Sequence, residues 1–435
     1  MYRFAIEKLE KWKTSPNRKP LIIQGARQVG KTWLMKEFGR KYYKKTVYIN
    51  FDANTGMREL FSSDLSPKRI LTGLRIYSDI DIDPKDTLII FDEVQEVPRA
   101  LASLKYFCEE APEYNIVCAG SLLGIALHEG TSFPVGKVDF LKLYPLSFRE
   151  FLLAIGKNGL AELLSGDDFE MINTFGGELS ELLKQYYFVG GMPEAVKAFV
   201  DTADFRLVRE IQNRILDAYE QDFSKHASVD IVPKIRMIWN SVPSQLAKEN
   251  RKFVYGLIKT GARAKDFETA IMWLTDCGLI HKIYRVNSGN IPLMAYEDLK
   301  AFKLYMLDVG LLMCKTGLSA GTILNGNDLF VEFKGALTEQ YVLQQLLVED
   351  ELKIYYYTND SGQCEVDFIV DNGTDIIPVE VKAEVNLRAK SLKVFCEKYT
   401  PKIAVRTSMA GYKKEERLIN LPLCAIESLS RIIRQ

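Results

Sequence analysis

Eight consecutive residues, Gly25-Ala26-Arg27-Gln28-Val29-Gly30-Lys31-Thr32, satisfy the spacing G-x-x-x-x-G-K-[ST], and every fixed position has a task in holding a triphosphate. Gly25 and Gly30 let the backbone curl until its N–H groups face phosphate oxygens. Lys31 reaches the β and γ oxygens, and the Thr32 hydroxyl offers an oxygen to Mg2+. Such a loop works only between a strand and a helix. Leu21-Ile22-Ile23 reads as the buried strand, and Trp33-Leu34-Met35-Lys36-Glu37-Phe38 as the first turns of the helix.

Hydrolysis needs a second strand that delivers carboxylates. Thr87-Leu88-Ile89-Ile90-Phe91 is an apolar run that ends abruptly in Asp92-Glu93. At the carboxyl end of a strand, where open α/β sheets bind ligands, Asp92 would hold Mg2+ and Glu93 would orient and polarise the attacking water. A further strand-like run, Asn115 to Ala119, ends in Gly120-Ser121. Ser121 there either senses the γ-phosphate or the water, or caps a following helix.

A different chemistry is suggested near the other end of the chain. Cys364 to Val370 and Ile376 to Lys382 flank a turn at Asp371-Asn372-Gly373-Thr374, a strong hairpin signal. Period-two alternation puts Glu365 with Asp367 on one face and Glu380 with Lys382 on one face. Asp367 and Glu380 would then bind a metal ion that acidifies water, and Lys382 would position that water or offset charge on a phosphorane. The bare pattern also fits any half-exposed hairpin.

These groups sit in a chain of 435 residues, long enough for two to four domains. Lys plus Arg and Asp plus Glu both number 57, so any basic surface must be local. No apolar stretch reaches membrane-spanning length, and the residues after Met1 mix acids and bases where a signal peptide would be apolar; a cytoplasmic location without membrane attachment is expected. Seven scattered cysteines without a C-x-x-C and three scattered histidines argue against disulfides and structural zinc.

Up to about residue 150 strand-like and helix-like runs alternate, which predicts a parallel α/β sheet. Residues 151–225 read as helical, broken at Gly190-Gly191-Met192-Pro193. Helix-like segments followed by a hairpin predict a winged helix over 226–320. Between Lys234 and Lys265 eight basic residues, among them Arg251, Lys252 and Arg263, face one acid. That cluster either meets nucleic-acid phosphates or is a solvated basic face. A last domain is predicted over 328–435, opening with a helix that carries Glu339.

Taken together, the motifs resemble a prokaryotic family of AAA-14 type P-loop ATPases with a DUF4143 region. The likeness rests on residues 25–32, F-D-E-V-Q at 91–95, A-G-S at 119–121, F-P-V-G-K at 133–137, P-L-S-F-R-E-F at 145–151, G-G-M-P-E-A at 190–195, and the terminal E-V-D and V-E-V-K. The resemblance implies ATP as the nucleotide and an AAA-like core at 1–150 with a strand inserted between the phosphate-loop and acid-bearing strands. It also implies a helical lid, a winged helix and a restriction-endonuclease-like, PD-(D/E)XK-like α/β domain. Pro193 would abut adenine, and Arg149 would be an arginine finger, in cis or in trans within a homo-oligomer, or else a structural ion-pair residue. Lys137 stands where family members often have arginine. Two functions follow: an ATPase that acts on DNA through its terminal domain, or a regulatory ATPase switch whose terminal domain only docks partners.

Overall fold

A computed structural model describes residues 1–120, 133–248, 252–321, 331–349, 351–359, 362–385 and 389–434. Ser121 and Arg251 lie outside the described residues. The chain forms two compact units, one of Tyr2–Tyr144 with Asp276–Gly278, the other of Met1, Pro145–Thr275 and Leu279–Gln435.

The first unit contains β1 (Leu21–Gln24), β2 (Lys45–Asn50), β3 (Thr87–Asp92), β4 (Asn115–Ala119) and β5 (Asp139–Lys142), with α1 (Ala5–Thr14), α2 (Lys31–Tyr42), α3 (Thr55–Leu60), α4 (Pro67–Ser78) and α5 (Pro98–Glu110). The strands lie in the order β2-β3-β4-β1-β5 with every pairing parallel. Strands covered on both faces read as continuous apolar runs, and β3 and β4 are buried along their whole length. The inserted strand is β4: Ala119 is in register with Ile23 on one side and Asp92 on the other. The phosphate loop and Asp92 thereby emerge on the same edge of the sheet. Phe51, Phe61 and Phe91 pack edge to face at 5.5–5.7 Å beneath that edge.

The second unit opens with helices α6 (Phe148–Ala154), α7 (Asn158–Leu163), α8 (Phe169–Thr174), α9 (Gly176–Val189), α10 (Pro193–Thr202), α11 (Phe205–His226), α12 (Val232–Leu246) and α13 (Ala264–Asp276). Strands β6 (Ile280–Val286) and β7 (Glu297–Met306) follow, then α14 (Val309–Lys315), α15 (Val331–Leu346), β8 (Lys353–Thr358), β9 (Glu365–Asp371), β10 (Ile376–Val381), α16 (Lys390–Tyr399), β11 (Ala404–Ser408), β12 (Lys413–Glu415), β13 (Leu418–Pro422) and α17 (Leu429–Ile432).

The helix, helix, hairpin order expected of a winged helix is present, but its hairpin is not a free wing. Strand β6 pairs in parallel with β8, and β6 and β7 end one eight-stranded sheet of order β12-β13-β11-β10-β9-β8-β6-β7. Burial explains this: Ala301 to Met306 are buried on both faces of β7, which a solvated wing would not require. The expected boundary between 226–320 and 328–435 therefore runs through a single sheet.

The Gly190-Gly191 turn is built around one buried carboxylate. Asp308 accepts hydrogen bonds from the Gly191 N–H at 2.6 Å, the Leu311 N–H at 3.0 Å and the Gln344 amide at 3.1 Å. Gly190 has φ +69°, and a Cβ there would lie 2.2 Å from Asp308 Oδ1. Only glycine meets both demands. Burial pushes the Asp308 carboxyl above its ordinary range, and its N–H partners oppose that rise.

Candidate functional site

The phosphate loop joins β1 to α2 with the backbone its glycines permit. Gly25 has φ +152°, where a Cβ would meet the Leu143 carbonyl oxygen at 2.3 Å, and Gly30 caps α2 at φ 97°. No acid of α2 itself occupies its first turn, and no side chain caps its N-terminal N–H groups. Arg3 staples the loop from α1's approach, donating to the Val29 carbonyl at 2.9 Å and the Tyr144 carbonyl at 2.6 Å.

Lys31 folds back onto its own loop, its Nζ donating to the Gly25 and Ala26 carbonyls at 2.8 Å each. Burial pushes its amine down to about 8, while the Glu93 and Asp92 carboxylates pull upward. Thr32 donates its hydroxyl to Asp92 Oδ2 at 2.7 Å, and Tyr48 donates to the same oxygen at 2.9 Å. Asp92 Oδ1 accepts the Glu93 N–H at 3.1 Å. Glu93 itself adopts a left-handed backbone, φ 52°, and receives the Gln95 side-chain amide at 2.7 Å. The juxtaposed hydroxyl and carboxylate oxygens of Thr32 and Asp92 are the hard donors Mg2+ takes. Sequence reading missed Arg3, Tyr48 and Gln95; only Gln95 carried a signal, its spacing of two from Glu93.

In the terminal hairpin the register Val379 opposite Phe368 sets Glu380 opposite Asp367 on the neighbouring strand. Opposed residues of an antiparallel pair share a face. Asp367 Oδ2 accepts the Val381 N–H at 2.7 Å, and Lys382 Nζ donates to Glu380 Oε1 at 2.7 Å. Glu380 Oε2 is buried with no hydrogen-bond partner. Burial, then the Asp367 carboxylate, pushes the Glu380 carboxyl up to about 7 against the pull of Lys382. An orphaned buried carboxylate oxygen beside a second carboxylate suits a cation. Among the described residues no group of three His, Cys, Asp or Glu side chains is placed to hold a metal. Mg2+ commonly rests on one or two carboxylates and keeps its waters.

Glu339 of α15 is occupied: Tyr305 donates to its Oε2 at 3.1 Å, and Lys303 Nζ lies 3.8 Å from that oxygen. Lys303, fully buried, also donates to Glu365 Oε1 at 2.6 Å.

The remaining candidates divide. Arg149 is engaged as an ion-pair residue: its guanidinium lies 4.0 Å from the Glu427 carboxylate and its own N–H donates to Glu427 at 3.2 Å. Its neighbours in P-L-S-F-R-E-F are a helix cap, Ser147 and Glu150 forming a reciprocal capping box on α6. Pro193 occupies the first turn of α10 after the Gly190-Gly191 turn. Lys248, Lys252, Lys259, Arg263 and Lys265 are exposed around the α12–α13 connection, whereas Arg236 donates to Ser224 Oγ at 3.0 Å. Lys137 pairs with Glu109 at 2.9 Å.

The first unit is thus a parallel-sheet P-loop ATPase core. Comparison with protein families matches residues 17–152 to an AAA domain, AAA_14. Residues 334–426 match a domain of unknown function, DUF4143, and residues 180–322 another, DUF8612. The chain therefore carries an AAA_14 P-loop ATPase domain, with ATP as the nucleotide that domain implies, and a DUF4143 region. No curated protein matches the chain. Among solved structures, the Walker-type ATPase PABY2304 of Pyrococcus abyssi is 15% identical over 72% of this chain and 94% of that one, with a TM-score of 0.44. ORC2 of Aeropyrum pernix in its ADP form is 13% identical over 78% and 93%, TM-score 0.31; ORC1 of the same organism, in complex with DNA, is 12% identical over 72% and 90%, TM-score 0.27. No helix among the described residues is long and apolar enough to cross a membrane.

Proposed function

We propose that this chain hydrolyses ATP in its first unit and acts on DNA through a metal-dependent phosphodiester-cleaving site in its second. In the first unit, Gly25, Gly30 and Lys31 receive the phosphates, Lys31 leaving its loop carbonyls for them. Thr32 and Asp92 hold Mg2+, which when bound draws charge from the phosphates. Glu93 takes the proton of the attacking water once Gln95 releases its carboxylate.

In the second unit, Asp367 and Glu380 hold a divalent ion, which when bound acidifies a water. Lys382 orients that water and stabilises the charge that gathers on the phosphate, and the exposed bases Lys252 and Arg263 carry the backbone of the duplex. The observation that carries this reading is Glu380, buried beside Asp367 with one carboxylate oxygen orphaned. The restriction-endonuclease-like character of the terminal strands belongs to the same proposal, as does a role for Pro193 against adenine.

Plasmid incubated with the purified chain and Mg2+ or Mn2+, with and without ATP, tests it. Cleavage lost in Asp367→Ala and retained in Glu93→Gln assigns the two chemistries to their units. Intact plasmid in every condition, with ATP still hydrolysed, would leave the terminal domain a docking module.

A further inference from the structure

We propose that Tyr48 is a positioning residue of the ATP site, its hydroxyl holding the Asp92 carboxylate in the orientation that seats Mg2+; this rests on reading Thr32 and Asp92 as the magnesium donors. Strand alternation puts Tyr48 and Asn50 on one face of β2, and parallel pairing sets Asn50 level with Asp92 on β3. Tyr48 stands two residues earlier, and its long side chain closes the gap. Its hydroxyl donates to Asp92 Oδ2 at 2.9 Å, the oxygen that also accepts the Thr32 hydroxyl at 2.7 Å.

The ring is braced as well. Lys36 lies one turn beyond Thr32 on α2, and its ammonium stands 3.9 Å from the centre of the Tyr48 ring. The helix that carries the phosphate loop thus grips both Asp92 and the tyrosine. Asn50 Oδ1 accepts the Asp52 and Ala53 N–H groups at 2.9 and 3.1 Å, so its amide N–H is the group that hydrogen-bonds the Tyr48 oxygen. The Tyr48 proton is left for Asp92.

A phenol suits this place better than a cation. Asp92 is 2% exposed and needs donors to offset its burial. A lysine would cancel the charge that attracts Mg2+, whereas a neutral hydroxyl satisfies the oxygen and leaves the charge. With Oδ2 filled by two hydroxyls, Oδ1, which accepts the Glu93 N–H at 3.1 Å, keeps capacity for the ion or its water. Tyr48 acts through Asp92, so its effect must be confined to the metal.

The test is binding of a non-hydrolysable, methylanthraniloyl-labelled ATP analogue to the full chain, followed by fluorescence in EDTA and across a Mg2+ series. Parent affinity should tighten with Mg2+. Tyr48→Phe should bind as the parent does in EDTA and need about 10-fold more Mg2+ for half of that tightening, the lower end of what an outer partner of a metal ligand is worth. Asp92→Asn should lose most of the Mg2+ response, and Tyr48→Phe added to it should change nothing further. An unchanged Mg2+ midpoint in Tyr48→Phe, equal weakening in EDTA and in Mg2+, or a further loss in the double variant overturns the proposal. If Tyr48→Phe fails to fold, Lys36→Met decides: its midpoint should move the same way, and an unmoved one overturns the proposal. A parent with no Mg2+ response overturns the Thr32–Asp92 seat itself, a different failure.

Discussion

Thr32 and Asp92 are joined by a 2.7 Å hydrogen bond although they are sixty residues apart. Their oxygens come from the start of α2 and the end of β3, and β4 sets the distance between those two elements. The ligand-free chain thus holds together the two oxygens proposed to take Mg2+, with Tyr48 steadying Asp92 from β2.

That arrangement separates binding from turnover. Lys31→Ala should abolish tight nucleotide binding, because it removes the ammonium that neutralises the β and γ oxygens. Glu93→Gln should bind as the parent does and lose about 10²–10⁴-fold in hydrolysis rate, the usual worth of a general base. Equal steady-state rates for Glu93→Gln and parent would remove Glu93 from the mechanism.

Lys31 also predicts a pH dependence. Its amine falls from 10.5 to about 8 on folding, so between those values the folded chain binds fewer protons than the unfolded one. Ligand-free stability must then rise with pH across that window; below about 8 the cost of the buried ammonium is present in full. A bound triphosphate restores the charged form. Calorimetry at about pH 9 in two buffers of different ionisation enthalpy should show uptake of close to one proton on ATP binding, shrinking toward zero at about pH 7. The same proton count at both pH values would mean that Lys31 stays charged without ligand.

What could be read from the chain depended on how local the physics was. The phosphate loop, the acid-terminated β3 and the hairpin at Asp371–Thr374 each encode their geometry within a few residues, and each stands where the spacing put it. The parallel pairing of β6 with β8 has no local signal, since some seventy residues separate Arg285 from its partner Tyr356. Buried polar groups were hidden for the same reason. Gln340, Gln344 and Gln345 look like a solvated face of α15, yet they are buried. Each accepts from a backbone N–H far along the chain: Met306, Val309 and Phe148. Lys303 and Asp308 acquire meaning only from partners that the fold delivers.

Asp308 tests one such partnership. Asp308→Ala strips the acceptor from the Gly191 and Leu311 N–H groups in the interior, at about 1–3 kcal/mol for each buried donor left unpaired. Asp308→Asn keeps an acceptor and should cost less, and Gly190→Ala should fail through the clash of its Cβ with Asp308. Thermal unfolding checks the order. If Asp308→Ala melts with the parent, the Gly190-Gly191 turn does not depend on this carboxylate.

The basic α12–α13 connection makes a quantitative claim on DNA binding. Lys252→Glu with Arg263→Glu should weaken duplex binding at low salt and flatten the dependence of log K on log salt by about 0.9 for each phosphate no longer neutralised. Parallel slopes for variant and parent in a fluorescence titration would mark this face as a protein-docking surface.

The terminal site stands or falls on three side chains acting together. Asp367 and Glu380 face each other across adjacent strands, and Lys382 reaches Glu380 from the residue just beyond β10. A site that needs two carboxylates to seat its ion and an ammonium to manage the phosphate has no redundancy. Asp367→Ala, Glu380→Ala and Lys382→Ala should therefore each remove metal-dependent plasmid cleavage, by about 10²-fold or more. ATP hydrolysis should continue in all three, because these residues belong to the second unit and the phosphate loop to the first. Cleavage that survives Glu380→Ala at the parent rate would place any nuclease chemistry elsewhere, and the orphaned Glu380 oxygen would then be a cost of folding rather than a seat for metal.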